Sequence, residues 1–135
     1  MQELTIAARV ENLDKVTDFV RETLAVVECP TKLLMQIDLV VEEIFVNVAS
    51  YAYPEGAGDV TIQSEVEKAP AAITLKFIDG GIPYNPLKND PPDLNLPVEE
   101  KKIGGLGIYL VKEMADEIFY DYFEGKNILI IKKRI

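Results

Sequence analysis

Glu43 and Asn47 stand four residues apart in the stretch VVEEIFVNVASYAY (40–53), so in a helix they lie one above the other on the same side. A carboxylate and an amide in that relation can hold a hydrated Mg²⁺ and a nucleophile next to each other. Magnesium takes oxygen ligands and keeps several waters, so one side-chain carbonyl together with phosphate oxygens makes a reasonable site. Further along, Asp79 opens Asp79-Gly80-Gly81-Ile82-Pro83 at the end of an apolar run. A carboxylate there can accept a hydrogen bond from an exocyclic amine such as N6 of adenine, and glycines without a Cβ let a flat ring approach the backbone. A third stretch, Gly104-Gly105-Leu106-Gly107, precedes a helical pattern. Unpaired N–H groups and the positive end of the helix dipole form an anion site at such a place, and Lys101 and Lys102 lie just upstream to add positive charge.

Each stretch also has a plainer reading: a solvated helix edge for Glu43 and Asn47, an Asp-Gly turn at Asp79, a helix-entry turn at the glycines. The glycines are not a dinucleotide fingerprint, because no βαβ unit surrounds them, and not a Walker A loop, because no Gly-Lys-Ser/Thr follows. The joint occurrence of all three, in this order and at compact spacing, is more specific than any part.

The elements that must position these residues follow from the hydrophobic pattern. Leu4, Ile6, Ala8 and Val10 set a first strand, and Asn12 is placed to cap a helix carrying Leu13, Val16, Phe19, Val20, Leu24 and Val27. Glu28–Thr31 breaks that helix. A second one opens at Pro30 or Thr31 and runs to about Tyr53, with a core-facing stripe of Leu33, Ile37, Val40, Val41, Ile44, Val48 and Ala52. Pro54-Glu55-Gly56 ends it. Val60–Val66 and Ile73–Phe77 alternate as two strands that pair antiparallel, and Ile108, Leu110, Val111 and Met114 mark a short third helix. Phe119–Phe123 and Ile128–Ile131 form a hairpin around Glu124-Gly125-Lys126-Asn127. Between the second pair of strands and the third helix, residues 84–102 have no clean period and hold Pro86, Pro91, Pro92 and Pro97; so long a connection inside a compact domain points to a functional lid, taken here as about 82–103. The expected fold is α+β: a two-layer α/β sandwich with a mixed, mostly antiparallel sheet of about five strands and helices on one face.

Composition narrows the function. A chain of 135 residues is expected to be a single domain, 1–135, and with 48% hydrophobic residues it has the makings of a core. No apolar run approaches the ~20 residues of a membrane helix, and the N-terminus lacks the basic start and apolar centre of a signal peptide, so a cytoplasmic protein is expected. A net charge of −9 argues against sequence-independent binding to nucleic acid or an anionic membrane. The absence of histidine excludes a Ser-His-Asp triad, a histidine metal site and an autophosphorylated histidine, leaving carboxylate, Lys, Tyr or Cys as general bases. The lone Cys29 fits a reducing compartment.

With VVEEIFVNVASYAY, DGGIPYNP and GGLGIYLVKEMAD in this order, the chain resembles the histidine-kinase-like (GHKL) ATPase superfamily, and within it the small anti-sigma factor serine/threonine kinases. The resemblance covers essentially the whole chain. It implies ATP and Mg²⁺ as cofactors, with Asn47 the Mg²⁺ ligand and Glu43 the general base toward a partner's serine or threonine hydroxyl. Geometry favours Glu43 over Glu42, which lies about 100° further round the helix from Asn47. It further implies that Asp79 reads adenine, that Gly81 lines the base pocket, and that Gly105 and Gly107 wrap the phosphates, with Lys102, Gly104 and Leu106 in the same stretch. Implied partners are a sigma factor and an anti-sigma factor antagonist of the STAS type, with a homodimer expected and no direct contact with nucleic acid or membrane. Relatives often have His where this chain has Tyr51, and Phe-Asp-Pro where it has Tyr84-Asn85-Pro86. Two other readings share the same residues: a nucleotide-responsive binding module without kinase activity, and a detached histidine-kinase catalytic domain acting on another protein's histidine.

Overall fold

A computed structural model describes residues 1–88 and 105–135. Strand β1 (Gln2–Ala7) leads into helices α1 (Leu13–Leu24) and α2 (Thr31–Tyr51), then strands β2 (Asp59–Lys68) and β3 (Ala71–Asp79). Helix α3 (Gly105–Met114) and the hairpin β4 (Glu117–Phe123) and β5 (Lys126–Arg134) follow. The five strands lie in the order β1-β2-β3-β5-β4 and all four pairings are antiparallel. This is the expected α+β sandwich, with no parallel pair among the described residues.

Alternation decides the two faces of the sheet. Val60 and Ile62 on β2, Ile73, Leu75 and Phe77 on β3, and Leu129 and Ile131 on β5 are buried toward the helices. Thr61, Gln63, Glu65, Thr74 and Lys76 between them face the open side. Onto the inner face α1 packs Val16, Val20 and Leu24, and α2 packs Ile37, Val40, Val41, Ile44 and Phe45. One buried polar contact crosses the layer, the Thr23 and Ser64 hydroxyls at 2.7 Å, and on the surface Arg21 of α1 pairs with Asp38 of α2. No described helix is long and apolar enough to cross a membrane.

Several boundaries differ from the sequence pattern for local reasons. β1 stops at Ala7, short of Ala8 and Val10, because the Asn12 side-chain amide and the Arg9 N–H both donate to the Ala7 carbonyl, at 2.9 and 2.8 Å, and turn the chain. Asn12 therefore fastens the strand end and makes no side-chain cap on α1. α1 ends at Leu24, before Val27, where the Val27 N–H closes a tight turn onto the Leu24 carbonyl at 3.1 Å. α2 starts at Thr31 and ends at Tyr51. Its buried set adds Phe45, fully enclosed, which the expected stripe left out, because α2 is flanked by both α1 and α3 and so buries a broad face.

The β4–β5 turn is tighter than the four residues expected. Glu124 and Gly125, at φ 52° and 76°, form the whole two-residue loop, and Phe123 pairs with Lys126. Positive φ at both central positions is the geometry that matches the twist of a hairpin. Lys126 and Asn127 consequently belong to β5, and Asn127 points inward.

Candidate functional site

One cleft gathers several of the residues singled out by chemistry. It is lined by Ile44, Asn47, Val48, Tyr51 and Ala52 of α2 and its end, Phe77 and Asp79 of β3, and Asn127 and Leu129 of β5. Ile82, Tyr84 and Pro86 close one side, and Ile108 of α3 and Tyr120 of β4 the rest. The space within is about 510 Å³, open solvent included, and its lining is mostly apolar with a few polar groups, the usual make-up of a small-molecule site.

Asp79 is 7% exposed at the inner end of β3. Its Oδ1 accepts the Gly81 N–H at 2.9 Å and an amide hydrogen of Asn127 at 3.0 Å. Its Oδ2 takes no hydrogen bond among the described residues. Since no buried side-chain polar atom there lacks a partner, Oδ2 is reachable from the cleft as an unfilled acceptor.

Asn47, half-buried, projects from α2 into the same cleft. Glu43, one turn earlier, is half-buried and outside the lining. Burial, and then the neighbouring charge of Glu42, push its carboxyl above the ordinary value of 4.5. That shift brings a carboxylate closer to the working range of a general base. Among the described residues no group of three or more His, Cys, Asp or Glu could hold a metal ion. Among those residues a divalent ion finds no protein cage, and the Asn47 amide oxygen in the cleft fits an ion carried largely by phosphates and water.

Gly81 lies beside the cleft and not in its lining. A Cβ there would come 2.2 Å from the Ala52 carbonyl oxygen, so the loop can lie on the end of α2 only with glycine at this position. The Ile82 N–H donates to that same carbonyl at 2.9 Å. Tyr53 adds a second tie: its hydroxyl donates to the Asp59 carbonyl at 2.6 Å and accepts the Gly80 N–H at 2.9 Å. Burial raises the Tyr53 phenol above its ordinary value, consistent with a hydroxyl that stays protonated as a donor. Further on, the Lys112 ammonium of α3 donates to the Leu87 carbonyl at 3.1 Å.

Gly105, Leu106 and Gly107 form the first turn of α3, so the helix begins inside the glycine run and not after it. Ile108 lines the cleft, which places the amino end of α3 within about one turn, roughly 5.4 Å of axis, of that wall. Lys101, Lys102 and Gly104, and most of the expected lid (89–103), lie outside the described residues. Of the expected set, the structure brings Asn47 and Asp79 into one cavity, sets Glu43 one turn away and Gly81 behind the loop. Asn127, Tyr120 and Tyr53 were missed by motif reasoning. A polar residue in inward register with the apolar Leu129 and Ile131, as Asn127 is, was the available signal once the hairpin register was known.

A family model described as histidine kinase-like ATPase domain matches residues 6–133. Among curated relatives, a serine-protein kinase RsbW of Bacillus mycoides (strain KBAB4) is 31% identical over 98 residues, covering 70% of this chain and 60% of the relative. One from Bacillus cereus (strain B4264) matches with the same identity and coverage. The chain thus spans about 60% of the length of the curated relatives it matches. Among solved structures, the RsbU and RsbW domains of Rv1364c from Mycobacterium tuberculosis superpose with a TM-score of 0.62 at 16% identity, over 99% of this chain and 32% of that one. The histidine kinase domain of the Erythrobacter litoralis blue-light activated kinase EL346 superposes with a TM-score of 0.56 at 14% identity, over 93% of this chain and 60% of that one. These two share the fold.

Proposed function

The chain belongs to the histidine kinase-like ATPase domain family, and from that premise we propose that it binds ATP with Mg²⁺ and acts as an anti-sigma factor serine/threonine kinase. Its substrate in this reading is an anti-sigma factor antagonist of the STAS type, and its second partner a sigma factor that it sequesters. A homodimer and cytoplasmic residence belong to the same reading and rest on family likeness alone. The observation that carries the nucleotide site is the meeting of Asn47 and the unfilled Asp79 Oδ2 in one mostly apolar cleft.

Each residue has a distinct task. Asp79 accepts the exocyclic amine of adenine. The apolar walls, Ile44, Val48, Ile82, Phe77 and Leu129, exclude water from the ring. Asn47 offers its amide oxygen to Mg²⁺, which supplies charge neutralisation at the phosphates when bound. The first turn of α3, with Gly105, Leu106 and Gly107, presents backbone N–H groups to phosphate, and Lys102 and Gly104 precede it in the chain. Glu43 takes the proton of a partner's serine or threonine hydroxyl as that oxygen bonds to the γ-phosphorus and ADP leaves. Positioning and charge neutralisation carry most of such a transfer.

Calorimetric titration of ATP and ADP, with and without Mg²⁺, into wild type and Asn47→Ala tests the site. Saturable binding whose Mg²⁺ dependence disappears in the variant supports the reading; no binding by folded wild type at millimolar nucleotide ends it. The kinase step is tested by Glu43→Gln, which is expected to keep ATP binding and abolish acid-stable phosphorylation of the partner. A wild type that binds its partner and never labels it would instead be a nucleotide-responsive module.

A further inference from the structure

Asn127 is 6% exposed and makes four hydrogen bonds. Its amide nitrogen donates to Asp79 Oδ1 at 3.0 Å and to the Ile82 carbonyl at 2.8 Å. Its Oδ1 accepts the Tyr84 N–H at 3.1 Å and the Tyr120 hydroxyl at 2.5 Å. Both amide hydrogens and both acceptor positions are in use, so the side chain has one orientation. Turned over, it would set an oxygen against the Asp79 carboxylate and the Ile82 carbonyl. Asn127 thereby joins β3, the 82–84 segment and β4 at one point on the cleft wall.

We propose that Asn127 is the positioning residue that makes this site select a 6-aminopurine nucleotide over a 6-oxopurine one, an inference that rests on the nucleotide reading above. With Oδ1 filled by Gly81 and Asn127, Asp79 offers the ring a single acceptor, Oδ2. An amine at purine C6 donates to it. A carbonyl at C6 brings oxygen against oxygen, and the carboxylate can relieve that contact only by turning its plane or by moving with the 80–84 loop. Asn127 resists both, because one amide hydrogen holds the carboxylate and the other holds Ile82. Loss of that amide frees Asp79 to turn, and the 6-oxo base then pays a smaller penalty while the 6-amino base loses a well-placed acceptor.

The test is the ratio of affinities of the full chain for ATP and ITP, which share ribose and triphosphate and differ in the base at C6 and N1, in wild type and Asn127→Ala. Wild type is expected to favour ATP by about tenfold or more, the worth of one hydrogen bond to a charged acceptor, and the variant by about threefold or less. Asn127→Leu, matched in size, gives the same readout where the alanine cavity unfolds the chain. A variant that binds both nucleotides more weakly by the same factor overturns the proposal, since packing alone would do that. Wild type that binds ATP and ITP within threefold of each other overturns it too and leaves the nucleotide site standing. Wild type that binds neither overturns both.

Discussion

Replacing Gly81 by alanine puts a methyl carbon 2.2 Å from the carbonyl oxygen of Ala52 and 2.6 Å from its Cβ. The obstructing oxygen is backbone, fixed by the end of α2, so no side chain can swing away. Either the loop lifts or the helix end yields. If the loop lifts, the Ile82 N–H loses the Ala52 carbonyl and the Gly81 N–H leaves Asp79. Overpacking costs about 1–3 kcal/mol and each of the two lost hydrogen bonds about 1 kcal/mol, so roughly 3–5 kcal/mol is expected in all. For a chain of this size 1 kcal/mol moves Tm by about 4 °C, so Gly81→Ala should melt about 12–20 °C lower. Gly56→Ala is the control: a Cβ there meets nothing within 4 Å, so its Tm should stay level or rise slightly. Scanning calorimetry on the three proteins decides the matter, with ATP titration alongside, since a lifted loop moves Asp79 and should weaken binding as well. A Gly81→Ala protein that melts within about 2 °C of wild type and binds ATP unchanged would refute the close approach and the role drawn from it.

Phe45→Ala, which empties a fully buried ring site in the core, should cost about 3–5 kcal/mol in chemical denaturation, with the midpoint shifting at unchanged slope. Glu43→Gln should raise Tm at pH 7. The raised carboxyl of Glu43 favours the fold only below its ordinary value of 4.5, and that contribution is lost as pH rises through the folded value; the gap between variant and wild type should therefore close as pH falls to about 4.5 and below. A gap that widens toward low pH would contradict the burial and the Glu42 repulsion assigned to it. Gly58→Ala should destabilise less sharply than Gly81→Ala, because its Cβ meets the Tyr53 ring at 2.2 Å, a side chain that can turn, though only by giving up its bonds to Asp59 and Gly80; near-equal losses of Tm would show the Tyr53 ties to be as rigid as backbone.

The fold was legible where one local period ruled. The 3.6-residue stripe of α2 and the alternation of β2 and β3 each bury one face, so sequence and structure agree there to within a few residues. Phe45 escaped because a helix covered on several sides no longer shows a single stripe. Asn127 escaped for a different reason. Glu124-Gly125-Lys126-Asn127 is compatible with a four-residue or a two-residue turn, and only the latter puts Asn127 in a strand; Glu124 is not a residue type that advertises positive φ. At Asp79 the motif pointed to an acceptor, and the structure adds which of its oxygens is free. At Gly81 the sequence suggested the close approach of a flat ring; the contact the structure shows there is with the end of α2, a tertiary contact with no trace in local sequence.

That contact explains how two residues 32 positions apart come to meet in one cleft. Asn47 is fixed to α2 by the helix itself. Asp79 is fixed to β3, and strand and helix are separate layers that packing alone would let slide by a fraction of an ångström. At the end of α2 the Ala52 carbonyl takes the Ile82 N–H, Gly81 lies on Ala52 without a side chain between, and the Tyr53 hydroxyl holds both Gly80 and the start of β2. Directional bonds with short tolerances thus set the register between the helix that carries Asn47 and the strand that carries Asp79, and Asn127 sets the plane of the Asp79 carboxylate from the other side. A cleft whose opposite polar groups are tied through backbone can hold a base and a phosphate-bound ion at fixed separation, and for that reason loss of Gly81 should impair binding at Asn47 and at Asp79 together.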